Sequence, residues 1–146
     1  MLDQAFLNWF SGSVVVTPTG EPLRVYHGTA RLDRAFRTHR FYDAAGAYFT
    51  DSYACALDYA EMDGSIDGDP HYVIEAYVRL LNPVKLYGID SHIISDEQLA
   101  EFVALGHDGV LGMTDDGVVF EFVVFDPANI AVIEGDDVII PQKMAA

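Results

Sequence analysis

The sequence predicts a mixed α+β domain: two small sheets packed on each other, with helices outside. Strand-like and helix-like segments do not alternate regularly along the chain, which argues against a doubly wound parallel sheet. The strand-like segments are short and alternate with a period of two, and Gly, Pro or Asn-Pro punctuates them. Finally, 146 residues, 51% of them hydrophobic, suffice for one core, and no linker or internal repeat divides them. A single domain over residues 1–146 is expected.

The elements follow in order. DQAFLNWF (3–10) places Phe6, Leu7 and Phe10 at helical spacing, and Gly12 stops the run. SVVVT (13–17) reads as a short strand and PTGEP as a turn. LRVYHGT (23–29) is a strand ending at Gly28, and the polar stretch 30–45 reads as a loop. GAYFT (46–50) is a short strand, after which Asp51 or Ser52 caps a helix to about Met62. DGSIDGDP (63–70) is a loop; its Asp63, Asp67 and Asp69 miss the alternate spacing of a calcium loop. HYVIEAYVRLL (71–81) alternates as a strand, and Asn82–Pro83 ends it. SDEQLAEFVAL (95–105) is a helix with Ser95 and Gln98 at capping-box spacing. DGVLG, GVVFEFVVF (117–125) and IAVIE (130–134) complete the strands.

Charge narrows the function classes. The net charge is −15, yet Arg24, Arg31, Arg34, Arg37 and Arg40 fall in one stretch opposed only by Asp33. An acidic surface repels nucleic acid and anionic membrane. The arginine-rich stretch either solubilises a loop or receives a phosphorylated ligand. No apolar run approaches the roughly 18 residues of a membrane span. The first residues lack the basic start of a secretory signal, and the single Cys55 excludes an internal disulfide. A cytoplasmic location is the expectation. His39, His71, His92 and His107 show neither helical ligand spacing nor cysteine partners, so no metal is expected.

Three segments depart from a plain core. In VYHGT, His27 ends a strand directly before a glycine that lets a ligand approach the backbone. In GAYFTDSYACALDYA, Tyr48 lies on a strand and Tyr59 on the next helix, with Ala56 one turn earlier on Tyr59's face. Two such aromatics form either core or a slot for a flat ring. In GVVFEFVVF, period two puts Val119, Glu121 and Val123 on one face and Phe120, Phe122 and Val124 on the other. A lone buried carboxylate costs several kcal/mol unless it is paired or neutralised. Taken singly, Glu121 reads more simply as an edge-strand residue facing water.

In this order the three segments resemble the His-Tyr-Glu branch of the ADP-ribosyltransferases, which includes diphtheria-type toxins and poly(ADP-ribose) polymerases. The likeness runs from about Phe6 to Ile130. It is closest to the small transferase domains of phage polyvalent proteins, through Trp9–Phe10, Ser13, PLRVYHGT, GAYFTD, Asn82–Pro83, GHDGV and EFVVFDPANI. The resemblance implies a split β-sandwich and NAD as co-substrate, with no metal. It places His27 on the adenosine ribose, the Gly28 backbone on the nicotinamide carboxamide and Thr29 within the same NAD-binding motif. Tyr48 and Tyr59 would sandwich the nicotinamide. Glu121 would hold the nicotinamide ribose and stabilise its developing cation. Ala56 stands where the polymerase branch has serine, which favours transfer of a single ADP-ribose. Val119 stands where arginine-specific transferases carry a second acid, which argues against an arginine acceptor. The implied function is a mono-ADP-ribosyltransferase of the bacterial or phage effector or toxin kind; the acidic surface leans its acceptor toward a host protein, with nucleic acid the less favoured alternative. NAD hydrolysis and an inert partner-binding role on the same fold stay open.

Overall fold

The computed structural model describes residues 2–30, 46–63, 71–88 and 94–141. In chain order the elements are α1 (Gln4–Phe10), β1 (Val25–Thr29), β2 (Ala47–Phe49), α2 (Tyr53–Asp63), β3 (Tyr72–Val78) and β4 (Val84–Tyr87). Then follow α3 (Asp96–Ala104), β5 (Gly109–Met113), β6 (Val119–Val124), β7 (Ile130–Glu134) and β8 (Asp137–Ile139). One sheet runs β1-β3-β7-β8 and is antiparallel throughout. The other runs β2-β6-β5-β4, with β4 and β5 parallel and α3 supplying the crossover that a parallel pair needs. The expected α+β architecture of two small sheets with helices outside is what forms. The polar stretches expected as loops lie outside the described residues, except for Ala30 and Asp63 at their ends.

Period-two alternation builds the core. Val25, Ala76, Val78 and Ile130 of the first sheet face Phe49, Leu111, Phe122 and Val124 of the second. Each large apolar side chain removed from water there contributes about 1.5–3 kcal/mol. On the outer side of the first sheet, α1 lays Phe6 and Phe10 against Tyr77 and Ala131. The Phe6 and Tyr77 ring centroids are 5.0 Å apart. Asp3 starts this helix by accepting the Phe6 N–H at 2.9 Å, and Gly12, at φ 85°, turns the chain away after it. Leu7, expected on the same face, is 43% exposed. The outer side of the second sheet is covered from α3, where Leu99 and Phe102 pack on Tyr48, Val110 and Val123. Ser95 and Gln98 close the expected capping box.

Several short motifs turn out to be staples. The Ser13 hydroxyl donates to Val78 O at 3.2 Å and accepts from Leu80 N at 3.1 Å. The Arg79 guanidinium donates to Asn129 Oδ1 and Trp9 O and lies over the Trp9 ring, while the Trp9 indole donates to Ala128 O. Asp108 accepts the Leu81 and Asn82 N–H groups at 2.7 and 3.0 Å, and the Asn82 amide donates to Gly106 O. These partners also explain why β3 ends at Val78 rather than at 81. The Arg79, Leu80 and Leu81 donors go to Asn129 O, Ser13 and Asp108 instead of a ladder. Asp108→Ala leaves two surface N–H groups to water in place of a charged acceptor and is expected to cost about 1–2 kcal/mol in urea unfolding, with Asp108→Asn costing less.

Other boundaries also differ from the sequence expectation. SVVVT forms no ladder strand: Val15 is buried and Val14 and Val16 are exposed, but only an isolated bridge joins Val16 to Pro22. Pro18 and Pro22 have no N–H to extend it. β4 and β8 are additional to the expected strands.

Candidate active site

The two sheets meet through one bridge. Tyr26 N–H donates to Thr50 O at 2.8 Å and Thr50 N–H to Tyr26 O at 2.9 Å. Continued, that antiparallel ladder would next join Gly28 to Tyr48. Instead the His27 ring enters the gap: its Nδ1 bonds Tyr48 O at 2.7 Å and it packs against Phe49. A carbonyl only accepts, so Nδ1 carries the proton, which makes Nε2 an acceptor whenever the ring is neutral. His27 is 3% exposed. Strand alternation sends the Gly28 peptide groups to the same side as those of Tyr26, away from β3 and toward the opening between the sheets.

Gly28 also sets the position of α2. A Cβ there would fall on the main-chain carbonyl of Ala56 and within 2.8 Å of Ala60 N. The missing side chain lets α2 lie directly on β1, with Ala56 and Ala60 fully buried. Ser52 caps the helix by accepting Cys55 N–H at 3.2 Å, as one of the two expected caps. The rigid seat of Ala56 then carries Tyr59, one turn on, to the second sheet. Its hydroxyl donates to Glu121 Oε1 at 3.3 Å.

Glu121 is 1% exposed and sits on β6, an interior strand between β2 and β5. An edge residue facing water is therefore excluded. Across the ladder stand Gly112 on β5, which presents no side chain, and Val123's partner Tyr48 on β2, on Glu121's own face. The Tyr48 hydroxyl accepts Ile94 N–H at 2.9 Å, just ahead of the α3 cap. Burial pushes the Glu121 carboxyl up to about 7, opposed by the Tyr59 hydrogen bond. Burial also raises the Tyr48 hydroxyl to about 12 and lifts that of Tyr59 well above its usual range.

Directly before Glu121 the register slips. Gly112 faces Glu121 but Met113 faces Val119, so Phe120 is an extra residue. Strict alternation would put Val119 beside Glu121; the bulge turns it inward against the inter-sheet core. Sequence reasoning missed this bulge and Gly112, although a glycine inside a strand-like run was a signal for close approach.

His27, Gly28, Tyr48, Ala56, Tyr59 and Glu121 thus form one connected group across β1, β2, α2 and β6, with buried Thr29 at the end of β1. Arg24 is not among them: it pairs with Glu75 at 3.2 Å on the surface. The other four arginines of its stretch lie outside the described residues. No described helix is long and apolar enough to cross a membrane.

Two small sheets that part at a histidine, with a buried glutamate on the outer face of the second, are consistent with the fold of ADP-ribosyltransferases. The family model for the ADP-ribosyltransferase in polyvalent proteins matches residues 18–138, and the chain belongs to that family. Compared with curated proteins, the chain has no match.

Proposed function

We propose that the protein is a mono-ADP-ribosyltransferase that cleaves NAD at the nicotinamide–ribose bond and transfers ADP-ribose to a macromolecular acceptor. The observation that carries this reading is Glu121: a carboxylate at 1% exposure on an interior strand, between two tyrosines, beside the split that presents the Gly28 backbone. NAD takes the place of substrate. The Gly28 peptide groups suit its carboxamide, and the acceptor Nε2 of His27 suits a ribose hydroxyl. Thr29 extends the same wall, and Tyr48 and Tyr59 flank the nicotinamide end. As the C–N bond breaks, its electron pair leaves with nicotinamide and the ribose carbon becomes cationic. Glu121 faces that charge in a site with little water, where the attraction is strong. The acceptor then bonds to the same carbon and loses its proton.

Ala56 is packed against Gly28 and offers no side-chain donor, in keeping with single rather than repeated transfer. Val119 is turned inward, so it puts no second acid beside Glu121. The net charge of −15 favours a basic or neutral protein of the host cell over nucleic acid, and it is the likeness to effector transferases that suggests an effector or toxin role within a bacterial cytoplasm. Incubating the protein with labelled NAD and bacterial lysate tests the reading. A single macromolecule gaining about one ADP-ribose supports it. Release of free ADP-ribose alone would instead make water the acceptor.

The ionisation of Glu121 sets a pH dependence. In the free protein the carboxyl is protonated below about 7 and charged above it. Only the charged form stabilises the sugar cation, so kcat/KM for nicotinamide release is expected to rise with pH through about 7 and then level off. A rate that is flat between about pH 5 and about pH 8 would remove Glu121 from this role.

A further inference from the structure

We propose that Tyr59 is a positioning residue for the reaction: its hydroxyl fixes the Glu121 carboxylate and holds it in the charged form, in addition to any stacking by its ring. This rests on the reading of Glu121 as the group that faces the sugar cation. A tyrosine that only stacked would need no aim for its oxygen. Here the hydroxyl donates to Oε1 at 3.3 Å, the helix that carries it is seated by main-chain contact at Gly28, and the accepting group is almost fully buried.

The chemistry favours the charged acid. A hydroxyl bonds an ionised carboxylate about twice as strongly as a neutral group, so the bond opposes the neutralising effect of burial. Burial and the charge of Glu121 both disfavour loss of the Tyr59 proton, so the donor persists wherever the carboxylate is charged. Among the described residues, the titratable groups around the pair are Cys55 beyond Tyr59 on α2, Tyr48 on β2, and His27 on β1, whose Nδ1 is committed to Tyr48 O. β5 presents Gly112 there, and Tyr48's hydroxyl is turned to Ile94 N.

The test compares wild type, Tyr59→Phe, Glu121→Gln and the double variant. Thermal stability against pH, without NAD, gives the titration midpoint of Glu121 as the difference between each Glu121 protein and its glutamine counterpart. Tyr59→Phe is expected to move that midpoint up by roughly one pH unit. The rising limb of kcat/KM for nicotinamide release should move by the same amount. Above the limb, where the carboxylate is charged in both proteins, the part of the rate that Tyr59→Phe still lacks reports the lost aim at Glu121, and the loss should be larger below the limb than above it. An unmoved midpoint with activity lowered equally at every pH overturns the proposal and leaves Tyr59 a stacking residue. A shifted midpoint in a protein that never releases nicotinamide supports the Tyr59–Glu121 coupling and overturns the transferase reading instead.

Discussion

Replacing Glu121 by glutamine is expected to slow nicotinamide release from NAD by about 10³-fold while making the folded protein more stable above neutral pH. Glutamine has the same shape and keeps an oxygen for the Tyr59 hydroxyl, so the packing between α2, β2 and β5 should survive. What goes is the charge. Removing a preorganised group that faces developing charge typically costs about 10²–10³-fold in rate, and here the charge itself is lost. The stability gain follows from linkage. Burial raises the folded-state carboxyl from 4.5 to about 7. Between those values the folded state holds a proton that the unfolded chain has lost. The contribution of this carboxyl to stability is therefore greatest below about 4.5, falls as pH rises through 7, and is flat above. Glutamine removes that fall, so the variant should exceed wild type by roughly 3 kcal/mol near pH 8 and match it near pH 4. Thermal melts at the two pH values check this. A variant less stable than wild type at the higher pH would show that the charge is compensated in the fold.

The site was legible in the sequence because its residues break local rules. A carboxylate in an apolar run, a histidine before a glycine at a strand end, and two tyrosines eleven positions apart each stand out against the period of their element. What the sequence could not supply was their connection. The Tyr59–Glu121 hydrogen bond spans 62 positions, and its geometry depends on how closely α2 approaches β1. The bulge at Phe120 was hidden for another reason: Val119, Phe120 and Glu121 keep the composition of a regular strand, and only the register against Gly112 and Met113 reveals the extra residue.

Errors in the fold came from short elements. β4 is only VKLY, alternately half-buried and exposed, and four residues between Pro83 and Gly88 carry little periodicity. The hairpin to β8 did have a signal, since Gly135–Asp136 links Glu134 to Asp137 and Gly135 adopts φ 62°. The motif residues far from Glu121 have a structural meaning that spacing alone did not show. Trp9, Ser13, Asn82 and Asp108 satisfy main-chain groups where strands end.

Gly28→Ala is expected to be among the most damaging single substitutions in the chain, costing at least about 3 kcal/mol and most of the activity. The new methyl would fall on the Ala56 carbonyl and crowd Ala60 N, both of them backbone. Neither can turn aside as a side chain would, so α2 must lift from β1 as a body. Tyr59 then leaves Glu121, and the burial of Ala56 and Ala60 is lost. The obstruction being main chain gives the prediction a specific form. Ala56→Gly should not rescue Gly28→Ala, because shortening that side chain leaves its carbonyl in place. A side-chain clash would behave oppositely, with the double variant regaining most of the lost stability. Urea unfolding of the two single variants and the double variant separates these outcomes, and nicotinamide release reports whether Tyr59 still reaches its partner. Full activity in Gly28→Ala would mean that α2 can sit farther from β1 without disturbing the site, and that the close seat of the helix is not what positions Tyr59.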